Sequence, residues 1–365
     1  MSMSSSSAES RNGEGTLTSG AAAGEAMRSP ERALGRGSSS WPGWAALACG
    51  ASFMALTACG GSQPEAKSPD PVELLGSSDE GAATASSDTV RKGMNALEAG
   101  DYEAARDILA QARAEQPSDP QAAFYYGVAL EGVGDVSGAM AAYRDALTLE
   151  PKLTEASQNL SAALVDEGDA RGALEAADAG LEHRPEDPGL LANRALALEA
   201  LGSDEALAAY AKALTKSNDA GLRYNYASAL QAAERRDEAI AQLKQIPTDD
   251  PEFAAAVATT FYQLKSFADC VQVLDKAIAK NPSADLHVRR GACRQGAEDK
   301  AGALADYQAA VKLDGSFAAA RYYLGRFLAG EGKKAEARAA LEKAVELGAG
   351  SPIAASAKKA LADLK

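Results

Sequence analysis

Between residues 120 and 153 the apolar positions fall into two stripes at helical spacing, broken by Gly134-Asp135. Tyr126 and Leu130 lie on the first stripe, Tyr143 and Ala146 on the second. The pattern predicts two amphipathic helices in antiparallel contact. Gly134 suits the left-handed conformation that ends the first helix, and Asp135 suits the N-cap of the second. Gly127 and Ala139 place small side chains on the facing sides, so the helices can approach closely. Pro151 cannot continue the second helix.

The same pattern then recurs. Registered on small residues and prolines, it divides the chain into units 86–119, 120–153, 154–187, 188–219, 220–250, 251–283, 284–317 and 318–351. The fourth unit is slightly short, and the fifth is expected to lose the end of its second helix at Pro247. Residues 352–365 read as one more amphipathic helix, which would cover the open end of a stack.

This pattern resembles the tetratricopeptide repeat, through the period and through Gly127, Ala139, Tyr143, Ala146 and Pro151. The tryptophan the family carries early in its first helix is absent, and Ala123 stands there. The resemblance implies an all-α fold, a right-handed superhelical solenoid whose first helices line a concave groove that binds protein segments. On the same grounds Phe124, Val128, Glu131, Gln158, Val165, Leu196, Glu199, Tyr224, Gln231, Tyr262, Tyr322 and Arg326 are expected on the groove. The lysine and asparagine set with which some relatives clamp a chaperone's terminal carboxylate is missing, which disfavours a co-chaperone role. In this register Cys270, on the second helix of the sixth unit, and Cys293, on the first helix of the seventh, lie at matching heights on neighbouring helices. They read either as a disulfide or as two buried thiols.

Composition agrees with close helix packing: hydrophobic residues make up 46% of the chain and aromatics only 5%. The net charge is −14, and residues 1–58 are neutral, so the acidity belongs to the remainder. An acidic surface repels nucleic acid and anionic lipid, so no nucleic-acid partner is expected.

The first 58 residues read differently. A Ser/Gly/Ala/Glu-rich leader precedes Met27, a candidate start, and Arg28, Arg32 and Arg36. Residues 41–58 are uncharged and mostly apolar, but short and interrupted for a membrane span, which needs about 20 apolar residues. They fit the centre of a secretory signal. The signal ends in Leu56-Thr57-Ala58-Cys59-Gly60, which resembles a bacterial lipobox. That resemblance implies diacylglycerol on Cys59, and Gly60 after it implies the outer membrane, facing the periplasm. Residues 59–85 read as a flexible acidic tether.

Catalytic chemistry finds little footing. The two histidines are far apart; His183 reads as a cation favoured at a helix C-terminus and His287 as a surface residue. No phosphate loop, metal-ligand spacing or paired base and nucleophile occurs, so neither cofactor nor metal is expected. The favoured expectation is a non-catalytic interaction scaffold, tethered in the cell envelope and serving envelope, pilus, secretin or export assembly. A structural spacer or self-associating element is the alternative, and an accessory subunit of an envelope enzyme a remote one.

Overall fold

The structure, a computed structural model, describes residues 87–364. The signal segment, Cys59 and the tether therefore lie outside the described residues.

All regular structure among those residues is α-helical, in 17 helices. They are α1 (Asp88–Glu98), α2 (Tyr102–Glu115), α3 (Pro120–Gly132), α4 (Val136–Leu149), α5 (Thr154–Asp166), α6 (Ala170–His183), α7 (Pro188–Ala200), α8 (Ala206–Ala213) and α9 (Ala220–Ala232). They continue with α10 (Arg236–Leu243), α11 (Pro251–Gln263), α12 (Phe267–Lys280), α13 (Ala284–Gly296), α14 (Lys300–Leu313), α15 (Ala318–Gly330), α16 (Lys334–Leu347) and α17 (Pro352–Asp363). Odd-numbered helices up to α15 open a pair and even-numbered helices close it, with α17 packing on the last pair.

Local chemistry sets the helix starts. Asp135 accepts from the Gly138 N–H at 3.0 Å, and Asp187 from the Leu190 N–H at 3.0 Å. Pro120, Pro188, Pro251 and Pro352 occupy first turns, where no N–H is needed. α4 ends at Leu149, just before Pro151.

Buried side chains join the pairs into a core that runs along the stack, with Tyr143, Tyr210 and Tyr307 among its largest fully enclosed members. Close approach depends on glycine opposite two of these rings. A Cβ at Gly127 would lie 2.6 Å from the Tyr143 ring, and one at Gly291 2.7 Å from the Tyr307 ring.

Successive first helices also touch each other: α1 meets α3, α5 meets α7, and α11, α13, α15 and α17 follow one another. Second helices make no comparable contact with the next second helix. The layer with the closer neighbours is the inside of a curved stack. The molecule is thus an all-α superhelical solenoid with first helices on its inner face.

The loss of second-helix length expected in the fifth unit also occurs in the fourth, the unit read as slightly short. α8 and α10 have eight residues each, where the other second helices have 14. α10 stops at Leu243, before Pro247 is reached, and buried Ile246 draws the chain inward. Neither short helix has a side-chain N-cap hydrogen bond.

In five pairs the turn residue with positive φ is glycine, among them Gly100 at 73° and Gly134 at 83°. The other three turns force L-residues into that region: Glu234 at 59°, Lys265 at 55° and Glu298 at 65°. Each costs about 1–2 kcal/mol, partly offset by the entropy a glycine would lose on folding. Glu234→Gly, Lys265→Gly and Glu298→Gly are each expected to stabilise the fold by about 0.5–1 kcal/mol in denaturant titrations. A triple variant no more stable than the parent would refute this account.

A disulfide joins Cys270 on α12 to Cys293 on α13, with Cα atoms 6.0 Å apart. Both residues are buried. It ties the sixth pair to the seventh.

Candidate functional site

The inner face is the surface on which recognition would act. Four residues expected to line it are core instead. Phe124 is 2% exposed, Val128 1%, Tyr224 4% and Tyr322 5%. Phe124 packs on the Tyr143 ring of the paired helix and on its own neighbour Tyr125, and Tyr322 packs on Tyr323. The Tyr224 hydroxyl bonds to Thr260 Oγ1 at 3.1 Å. Glu131 and Tyr262 are half-buried, and Glu199 and Arg326 are exposed.

In the second to fourth pairs the face carries acceptors around buried phenols. Tyr143 Oη donates to Glu131 at 2.6 Å and receives the Asn159 amide Nδ2–H at 3.3 Å. Tyr210 Oη donates to Glu199 in the same manner. Burial raises the Glu131 carboxyl above its ordinary value; the Tyr143 hydrogen bond opposes this, and the nearby Asp166 charge adds to it. Tyr125 is raised too, by burial first and then by Glu155 and Glu98 on the flanking first helices. Five acids thus gather along α1, α3, α5 and α7, with no cationic partner for Glu131 or Glu199 among the described residues.

The seventh pair solves the same packing problem without charge. There Tyr307 Oη donates to Gln295 at 3.0 Å. Glu131→Gln should therefore keep its hydrogen bond. A folded-state carboxyl raised by burial holds its proton more tightly than in the unfolded chain, so it opposes folding once the pH exceeds its ordinary value of 4.5. The variant is expected to gain from a few tenths to about 1 kcal/mol at neutral pH and nothing below the ordinary carboxylate range. A pH series of denaturant midpoints that shows the same gain at all pH values would contradict this.

In the sixth to eighth pairs the charge reverses. Arg289, 8% exposed, donates to Thr259 Oγ1 at 2.8 Å and Asp285 at 2.6 Å. The Arg326 guanidinium stands 5.8 Å from the centre of the Tyr322 ring. It also opposes the burial that raises the Tyr307 phenol.

Away from this face, His287 corrects its surface reading. Its side chain is 13% exposed, and Nδ1–H donates to Asp306 at 2.9 Å. Asp306 is itself 2% exposed and also receives Arg290 Nη2 at 2.6 Å and Arg294 Nη1 at 2.9 Å. Asp306 is thus a buried acid that helical periodicity could not flag. His183 sits exposed in the last turn of α6. Among the described residues no group of acids, histidines and cysteines could hold a metal ion.

Comparison with known proteins follows the geometry. No curated protein matches the chain. Among solved structures it is similar to a tetratricopeptide repeat protein from Parabacteroides merdae, at 19% identity over 65% of this chain and 96% of that one, with a TM-score of 0.46. It is similar to yeast Tom70 at 14% identity, over 80% and 69% of the two chains, with a TM-score of 0.44. It is similar to MamA of AMB-1 at 23% identity, over 43% and 94%, with a TM-score of 0.39. Proteins of such repeats are in general non-catalytic scaffolds for other proteins. The tetratricopeptide repeat sequence model matches residues 90–154 and 294–352, so those two segments carry the repeat.

Proposed function

We propose that this protein is a non-catalytic scaffold of the bacterial cell envelope that holds segments of partner proteins against its first-helix face. The observation that carries this reading is the inner face itself. The first helices α3, α7, α11 and α15 carry Glu131, Glu199, Tyr262 and Arg326, with Glu199 and Arg326 exposed and Glu131 and Tyr262 half-buried. Polar and aromatic groups on a preformed curved surface suit segment recognition.

Lipid on Cys59 tethers the scaffold to the outer membrane from its periplasmic side in this reading. The support is Leu56-Thr57-Ala58-Cys59 after an apolar stretch, with Gly60 next. Assembly of envelope, pilus, secretin or export machinery is the class of process served.

Two experiments test the proposal. Glu199→Ala, Tyr262→Ala and Arg326→Ala together are expected to remove crosslinked partners from a pull-down, and an unaltered partner set defeats the groove assignment. Cys59→Ser should shift the protein out of the membrane fraction; continued membrane retention defeats the anchor.

A further inference from the structure

Charge is distributed very unevenly along the stack. Residues 87–219 hold 24 Asp and Glu against 11 Lys and Arg, a net of −13. Residues 220–365 hold 18 against 21, a net of +3. The first four helix pairs therefore carry nearly all of the acidity.

On the inner face of those pairs the acidity meets unmet hydrogen-bond demand. Tyr143 has one hydroxyl proton, and it goes to Glu131. Its oxygen can then only accept from Asn159, which orients that amide with Nδ2 toward the phenol. The other amide atom, Asn159 Oδ1, is buried without a partner on a residue only 1% exposed. Buried acceptors are nearly always satisfied, so an orphan two hydrogen bonds from a half-buried carboxylate marks a place short of donors. Glu131 and Glu199 likewise receive only a phenol proton each and no cation. Glu131, Glu199 and Asn159 Oδ1 are all acceptors.

We propose that the inner face of the second to fourth helix pairs, centred on Glu131, Asn159 and Glu199, is the docking site for a lysine- or arginine-bearing segment of a partner protein. The inference rests on the first-helix face being the binding surface and names the chemistry of its occupant. A guanidinium or ammonium supplies several N–H donors with the compensating charge, the two things this site lacks. The acid-rich half adds long-range attraction, which steers a basic segment to this end rather than toward Arg289 and Arg326.

Purified full-length protein titrated with a fluorescein-labelled arginine–glycine peptide tests this, with a glutamate–glycine peptide as control. Glu131→Gln with Glu199→Gln is expected to weaken the basic peptide about tenfold or more, as loss of close charge pairs does, while the fold is kept by the Gln295-type hydrogen bond. Glu175→Gln with Glu182→Gln removes the same charge from exposed positions on α6, in the outer layer, and is expected to weaken it less than about twofold because the contact is only long-range. Equal losses from both pairs of substitutions, or no preference for the basic peptide, overturn the proposal. So does saturable calcium binding abolished only by the Glu131 and Glu199 substitutions, which would make the site a cation site. Concentration-dependent self-association lost in the same variant, with no peptide binding, overturns it in favour of a second copy. Partner capture that survives as a first-helix function while the basic peptide fails would sink this inference alone; capture indifferent to every first-helix variant sinks the scaffold reading too.

Discussion

Replacing Asp306 with alanine is expected to destabilise the last helix pairs by about 3–5 kcal/mol, the cost of stranding buried charge. The carboxylate is 2% exposed and holds Arg290, Arg294 and His287 at once. Asp275 engages Arg290 at 2.7 Å but lies 3.9 Å from Arg294, so it cannot replace both contacts. Removing Asp306 leaves guanidinium groups that are 14% and 24% exposed without their main counter-charge. Because each pair touches mainly its neighbours, the loss should concentrate in the described residues after about 284. Amide hydrogen exchange should show α13 to α16 opening at much lower free energy, while α1 to α7 keep their protection. A companion variant sharpens the test: Asp306→Leu with Arg290→Met and Arg294→Met removes all the charges together. An apolar replacement of a whole buried ion network is often close to neutral, so this variant should recover most of the stability. If the triple variant is as unstable as Asp306→Ala, packing rather than charge is responsible.

Breaking the Cys270–Cys293 link is the second large effect. The bridge closes a separation of 23 residues between the sixth and seventh pairs. Loop-closure entropy for such a span gives about 3 kcal/mol of stabilisation. Cys270→Ala with Cys293→Ala should lower stability by that order, and reduction of the parent should reproduce the loss. The reduced protein should remain helical, since both side chains are small core members opposite Ala258 and Ala292. Two reactive thiols in the denatured, unreduced parent, or equal stability of oxidised and reduced protein, would refute the bridge. Its position is of interest because α8 and α10, the two short second helices, lie just before it. The staple fixes the first junction after the part of the outer layer that has least helix to pack.

Local signals carried much of the architecture. Gly134, Asp135 and Pro151 each act within a few residues, so their roles could be read directly from the chain. The small residues facing Tyr143 and Tyr307 were legible for a similar reason: helical period places them opposite one another. The equivalent left-handed turn at Glu234, Lys265 and Glu298 was hidden, because no glycine announces it and only repeat context imposes it. The inner face was read with less success. Phe124, Val128, Tyr224 and Tyr322 occupy first-helix positions expected on the groove, yet all four are buried, Phe124 against Tyr143 of its own pair and Tyr224 against Thr260 of the next. Asp306 eluded the same reasoning, since a carboxylate on an amphipathic helix looks solvated until two arginines and a histidine from the adjoining helix are seen to surround it.

The division has a physical basis. Helix period, capping and close glycine contacts depend on interactions over three to about 34 residues, which the repeating chain encodes many times over. Burial of a given side chain, the pairing of Arg290 with Asp306 and the isolation of Asn159 Oδ1 depend on how one pair seats against the next. That seating is a balance of packing and desolvation over several helices. Sequence sufficed for the stack of amphipathic pairs; the tertiary structure decided which polar groups it encloses and which it leaves facing a partner.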